Sequence, residues 1–174
     1  MNSLPIPQPL ERLNMSIQTG QALPTGQFKT INASGIQDVD TGPLFKGRKV
    51  AVFGLPGAYT PVCSTSHLPG YVENASKLKA AGFDEIACIS VNDPFVMDAW
   101  GKEHGAAGKV TMLSDTDASF TKAIGLVADL GAFGLHDRSE RYAMVVEDGV
   151  VTKLDIEKTV FDHDGSSALC MLRG

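Results

Sequence analysis

The chain has 174 residues, of which 43% are hydrophobic and 20% charged, with a net charge of -5 at pH 7. That is the balance of one soluble domain with a sizeable core. The acidic excess argues against nucleic acid or an anionic membrane as the main partner, and no apolar run is long enough to span a bilayer. Residues 1–15 are Pro-rich and polar, lack a basic-then-apolar signal pattern, and are expected to form a disordered arm before a single domain over residues 16–174. Gln27 to Asn32 reads as an edge strand, and Thr41 to Lys46 as a helical turn stopped by Gly47. The apolar, partly β-branched run Lys49 to Leu55 predicts a buried strand, broken by Pro56-Gly57. A helix follows from Pro61 to about Ala80, closed by Gly82. Glu85 to Val91 reads as a central strand, Pro94 to His104 as a helix capped by Asn92 or Asp93, and Val110 to Leu113 as a short strand. Asp117 to Ile124 is a helix, Val127 to Asp137 a loop, and Ser166 to Leu172 a last short helix. Tyr142 to Val146 and Val150 to Leu154 flank Glu147-Asp-Gly149, a strong hairpin signal. Strands alternating with helices and then a hairpin predict an α/β fold with a central mixed β-sheet flanked by helices.

Three cysteines, Cys63, Cys88 and Cys170, are widely spaced and odd in number. That is not a secreted disulfide framework; it suits a reducing compartment, hence a cytoplasmic location, and a catalytic thiol. Four scattered histidines, His67, His104, His136 and His163, lack metal-ligand spacing, so no metal site is expected. A lone cysteine is usually inert core filling. Cys63 stands apart because it falls at a strand-to-helix junction. Thr60 reads as the N-cap and Pro61 as the first helical residue, so Cys63 occupies the third helical position. Unpaired backbone N–H groups and the positive end of the helix dipole favour a thiolate there. In this reading the Thr60 hydroxyl accepts the Cys63 N–H and keeps its own proton for the sulfur or a substrate. His67 lies four residues after Cys63, and a Cys–His pair is also a protease-like arrangement. No surrounding sequence supports acyl transfer, so His67 reads as pocket-lining or structural.

Pro56-x-x-x-Thr60-x-x-Cys63 resembles the active-site signature of the peroxiredoxins. The longer run Pro56 to Val72 is similar to the peroxiredoxin-5, or type II, branch. Ile89 to Trp100, Arg138 to Met144 and Glu147 to Val151 agree with that branch, in the same order, so the match runs from about Gln18 to the C-terminus. The resemblance implies a thioredoxin-like fold and a thiol peroxidase acting on small peroxides, hydrogen peroxide and alkyl hydroperoxides, without metal, haem or flavin. Cys63 would be the peroxidatic nucleophile. Thr60 and Arg141 would activate it, Arg141 being the arginine just before the aromatic-start strand, with Arg138 the second choice. Pro56, Gly57, Tyr59 and His67 would line the pocket, Tyr59 standing where the family more often has phenylalanine. A homodimer is the family default.

Recycling is open at this level. Cys88 sits at the resolving-cysteine position of plant type II members, but animal members that resolve otherwise also hold a cysteine there. Core filling is at least as good a reading of it. Cys170 does not align with the C-terminal resolving cysteine of the animal branch. An external thiol, glutathione with a glutaredoxin, is favoured by a small margin, with thioredoxin the other reductant. Two rival functions stand beside this one. Cys63-Ser-Thr-Ser66 is formally Cys-x-x-Ser, as in a monothiol glutaredoxin-like disulfide reductase; but that family has a proline where Arg141 stands. A redox-sensing binding module would use apolar loop residues Leu130, Phe133 and Leu135 as a partner surface.

Overall fold

The computed structural model describes residues 16–173. The expected arm over residues 1–15 lies outside the described residues. Seven strands form a mixed sheet in the order β2-β1-β5-β4-β3-β8-β9. They are β1 (Gln27–Asn32), β2 (Gly35–Asp40), β3 (Lys49–Gly54), β4 (Glu85–Ser90), β5 (Thr111–Ser114), β8 (Tyr142–Glu147) and β9 (Val150–Ile156). Strands β3, β4 and β5 pair in parallel, and every other neighbour is antiparallel. The middle strands are buried on both faces, which is why they read as unbroken apolar runs.

Alternation along β3 and β8 divides the core in two. Ala51, Phe53, Ala143 and Val145 face one layer, shared with Cys63, Cys88, Tyr71, Met97 and Trp100. Val50, Val52, Tyr142, Met144 and Val146 face the other, with Phe28, Phe45 and Phe120. On the first face lie a π-helical turn (Cys63–His67), α2 (Leu68–Glu73), α3 (Ala75–Ala80), α4 (Pro94–Glu103) and α6 (Ala168–Leu172); on the second lie α1 (Thr41–Phe45) and α5 (Ser119–Ala123). The β8–β9 turn has Asp148 at φ 49° and Gly149 at φ 79°, the double left-handed geometry of a type I′ hairpin.

Three expectations are corrected. Gln27 to Asn32 is not the edge strand: β2 pairs outside it, and the lack of any buried residue in β2 concealed it. The helix expected from Pro61 to Ala80 is broken twice, by the π-helical turn and at Asn74, whose φ of -100° and ψ of 9° leave helical space. The loop expected over Val127 to Asp137 holds β6 (Val127–Asp129), a 3-10 turn (Gly131–Phe133) and the start of β7 (Asp137–Ser139), which pairs with β6 in a small separate ribbon.

The β3–β8 register sets Gly54 opposite Tyr142. A Cβ on Gly54 would land within the Tyr142 ring. Glycine is therefore required by that ring rather than by backbone angle. Gly54→Ala is expected to lower unfolding free energy by about 1–3 kcal/mol through overpacking. A urea titration checks this; an unchanged midpoint would mean that the ring moves aside freely.

Candidate active site

Residue 141 immediately precedes β8 and follows the odd-numbered alternation of Ala143 and Val145, so its side chain enters the layer that holds Cys63. Arg141 is 2% exposed and Cys63 is fully buried. Arg141 Nη2 donates to Cys63 Sγ at 3.1 Å. Nη1 donates to His67 Nδ1 at 2.8 Å. Nε and Nη2 both donate to the Val160 carbonyl, at 3.1 and 2.8 Å. Four of the five guanidinium N–H groups are thereby engaged. Among the described residues no carboxylate lies within ion-pair distance of this buried cation. The sulfur of Cys63 is one of the acceptors placed against it.

His67 is as buried as the arginine it touches. Its Nε2 lies 3.1 Å from the Ser166 carbonyl. A carbonyl can only accept and a guanidinium can only donate, so Nε2 carries the proton and Nδ1 is the acceptor. Burial, and then the Arg141 charge, depress its pKa from the ordinary 6.5 to about 3. The ring also packs against the stacked pair Phe53 and Tyr71, at 5.0 and 5.7 Å between centroids, and the Tyr71 hydroxyl donates to the same Ser166 carbonyl at 2.7 Å.

The loop before Cys63 is braced from two sides. Arg138 donates to the Pro56 carbonyl at 3.3 Å and to the Leu135 carbonyl at 3.1 Å. It therefore buttresses the loop and makes no hydrogen bond to the sulfur. A Cβ on Gly57 would stand 2.6 Å from its Nη1, so the close approach afforded by glycine accommodates Arg138. The Asn92 side-chain oxygen accepts the Ala58 N–H at 3.0 Å and the Ser90 hydroxyl at 2.7 Å. Pro56 is buried; Tyr59 adopts φ 64° and is 50% exposed, its ring turned to solvent.

Thr60 differs from the expectation. Its hydroxyl donates to the Gly57 carbonyl at 2.8 Å, and Cys63 N–H makes no side-chain capping bond. The reason is local: a tight turn returns Thr60 N–H towards the Gly57 carbonyl, at 3.4 Å, and brings the hydroxyl within reach of it. Ser64 Oγ accepts the Trp100 indole N–H at 3.0 Å. Val160, Ser166 and Trp100 were missed as site residues: two act through backbone carbonyls, which leave no motif, and Trp100 marked only the family block.

Cys88 faces the same core layer as Cys63, and both are free thiols. Burial, then the neighbouring Cys63 charge, hold Cys88 well above the ordinary thiol range, so it stays protonated. Cys170 is partly exposed on α6. The apolar surface imagined around Leu130 is smaller than expected, because Leu130 is buried; Phe133 is 62% exposed and packs edge-on against Phe161. A cleft of about 490 Å³, between β1, β5 and α4, shares no lining residue with this site. Among the described residues no group of three or more His, Cys, Asp or Glu side chains is placed to hold a metal ion.

A family model described as Redoxin matches residues 18–168. Peroxiredoxin-2C of Oryza sativa subsp. japonica is 43% identical over 143 residues, covering 82% of this chain and 88% of that protein. This chain is a peroxiredoxin. Among solved structures, reduced Prx3 of Vibrio vulnificus in complex with hydrogen peroxide is 45% identical, with a TM-score of 0.86 over 90% of this chain and 98% of that one. Peroxiredoxin 5 from Alvinella pompejana is 33% identical, with a TM-score of 0.79 over 90% and 96% of the two chains. The fold is accordingly thioredoxin-like, as the resemblance implied, and the activity is that of an antioxidant thiol peroxidase: an oxidoreductase that takes a peroxide substrate and a thiol reductant.

The depressed His67 pKa gives this peroxiredoxin a signed pH dependence. Between pH 6.5 and about 3 the unfolded chain binds a proton at His67 that the folded chain refuses. Folding stability is fully present above 6.5, falls as pH drops through that window, and flattens below it. His67→Gln, which keeps one acceptor and one donor, is expected to remove this part of the slope. Denaturant titrations of both proteins from pH 7 to 3 check it; parallel curves would contradict the assignment.

Proposed function

We propose that Cys63 is the peroxidatic nucleophile and that Arg141 is the group that orients the peroxide and stabilises its departing oxygen. The 3.1 Å hydrogen bond from Arg141 Nη2 to Cys63 Sγ carries this reading. The thiolate attacks one peroxide oxygen. A sulfur–oxygen bond forms, the oxygen–oxygen bond breaks, and the second oxygen leaves as water or an alcohol after taking a proton. Sulfur is oxidised to sulfenic acid and the peroxide is reduced. A buried guanidinium aimed at the reacting atoms supplies the donors that the departing oxygen needs. Thr60 Oγ1, its own proton committed to Gly57, offers its lone pairs to the peroxide O–H. Pro56, Gly57 and His67 shape the pocket. The burial of Cys63 favours small substrates, hydrogen peroxide and short alkyl hydroperoxides.

For recycling we infer an external thiol, glutathione with a glutaredoxin ahead of thioredoxin. The first thiol condenses with the sulfenic acid, releasing water, and the second displaces Cys63 from the mixed disulfide. In support, Cys88 is fully buried on a central strand and held protonated, a poor attacking thiol. The three free cysteines fit a reducing cytoplasm, and no described helix is long and apolar enough to cross a membrane. A homodimer is inferred as the family default, with exposed Phe133 and Phe161 as an available apolar contact.

One equivalent of hydrogen peroxide added to the reduced protein without thiol is expected to add one oxygen, mapped to Cys63. Loss of two hydrogens, mapped to a Cys63–Cys88 or Cys63–Cys170 bond, would overturn the external-thiol reading. Cys63→Ser is expected to abolish peroxide reduction; retained activity would end the assignment. Arg141→Met, close in volume, is expected to keep the fold and slow sulfur oxidation roughly 100-fold. Stopped-flow measurement of the oxidation step checks it, and an unchanged rate would remove Arg141 from the chemistry.

A further inference from the structure

The groups that hold Arg141 from behind come from one stretch of chain. Arg141 donates twice to the Val160 carbonyl, and through His67 it leans on the Ser166 carbonyl. The orientation of the guanidinium therefore depends on what fixes residues 160–166. Glu157, the first residue after β9, ties the far end of this stretch back to the backbone of Arg141. Its backbone N–H donates to the Arg141 carbonyl at 2.9 Å. Its carboxylate Oε1 accepts the Ser166 N–H at 2.6 Å. The carboxylate is half-buried, and among the described residues no lysine or arginine pairs with it. Its hydrogen bond goes to the strap instead. A charge-assisted bond of this kind is about twice as strong as a neutral one.

We propose that Glu157 is a positioning residue of the peroxidase reaction: it fastens the Val160–Ser166 strap so that the strap's two carbonyls hold Arg141 and His67 in register with Cys63. Glu157 touches no reacting atom and works only through Arg141. The inference rests on the reading of Cys63 and Arg141 given above.

A double-mutant cycle tests it. The rate constant for Cys63 oxidation by hydrogen peroxide is measured, by quenched flow and mass analysis, in the wild-type protein, Glu157→Ala, Arg141→Met and the double variant. Glu157→Ala is expected to slow oxidation roughly tenfold when Arg141 is present and not at all when it is absent. Glu157→Gln, which keeps an acceptor at the same reach, is expected to recover most of the rate. An equal loss in both backgrounds would show a general stability effect and overturn the proposal, as would no loss in either. If Glu157→Ala does not fold, Glu157→Asp, whose acceptor falls one methylene short, enters the same cycle under the same criteria. The two readings fail differently. Wild-type Cys63 that resists peroxide ends the peroxidatic reading; a slow Arg141→Met beside a fast Glu157→Ala ends only the role of Glu157.

Discussion

A guanidinium that is 2% exposed, with no carboxylate in reach among the described residues, is the constraint around which the rest is arranged. Removing an unpaired cation from water is costly unless other groups take over its solvation. Here the Val160 carbonyl, the His67 ring and the Cys63 sulfur do so. His67 is neutral beside it, first because it is buried and then because a second cation against Arg141 would be repelled.

The sheet delivers these groups. Antiparallel pairing of β3 with β8 places Arg141 just off the end of β8, beside the loop that leaves β3. Parallel pairing of β3 with β4 brings Asn92, two residues past the end of β4, alongside the same loop, where its oxygen takes the Ala58 N–H. The π-helical turn then starts at Cys63 itself, and Arg141 bridges its first and last residues, Cys63 and His67. π-turns are short and often accompany functional sites, since their hydrogen bonds tolerate a local change of register.

Much of this was legible in the sequence because apolar runs and turn residues carry it. The strands at Lys49, Glu85 and Tyr142, the Asp148-Gly149 turn and the Asp93 cap of α4 are all local signals, and all appear. Strand β2 was hidden because it has no buried residue and is marked only by its pairing. The Thr60 hydroxyl was assigned the wrong partner because helix position alone does not reveal a competing carbonyl three residues back. His67 was seen as a neighbour of Cys63, but its hold on Arg141 spans 74 residues, and the carbonyls of Val160 and Ser166 are indifferent to side-chain identity. Sequence reading finds groups whose chemistry lies in the side chain; it passes over those whose chemistry lies in the backbone.

The chain has a single tryptophan, Trp100, fully buried, with its indole N–H on the hydroxyl of Ser64. Ser64 is the residue next to Cys63. An indole with one partner in so dry a setting emits at a wavelength tuned by that hydroxyl, and water reaching it would shift the colour. Were the helix start to open and admit water, the change would be visible in this emission, with no dye attached and no competing tryptophan signal. The molecule carries its own gauge of whether the sulfur is enclosed.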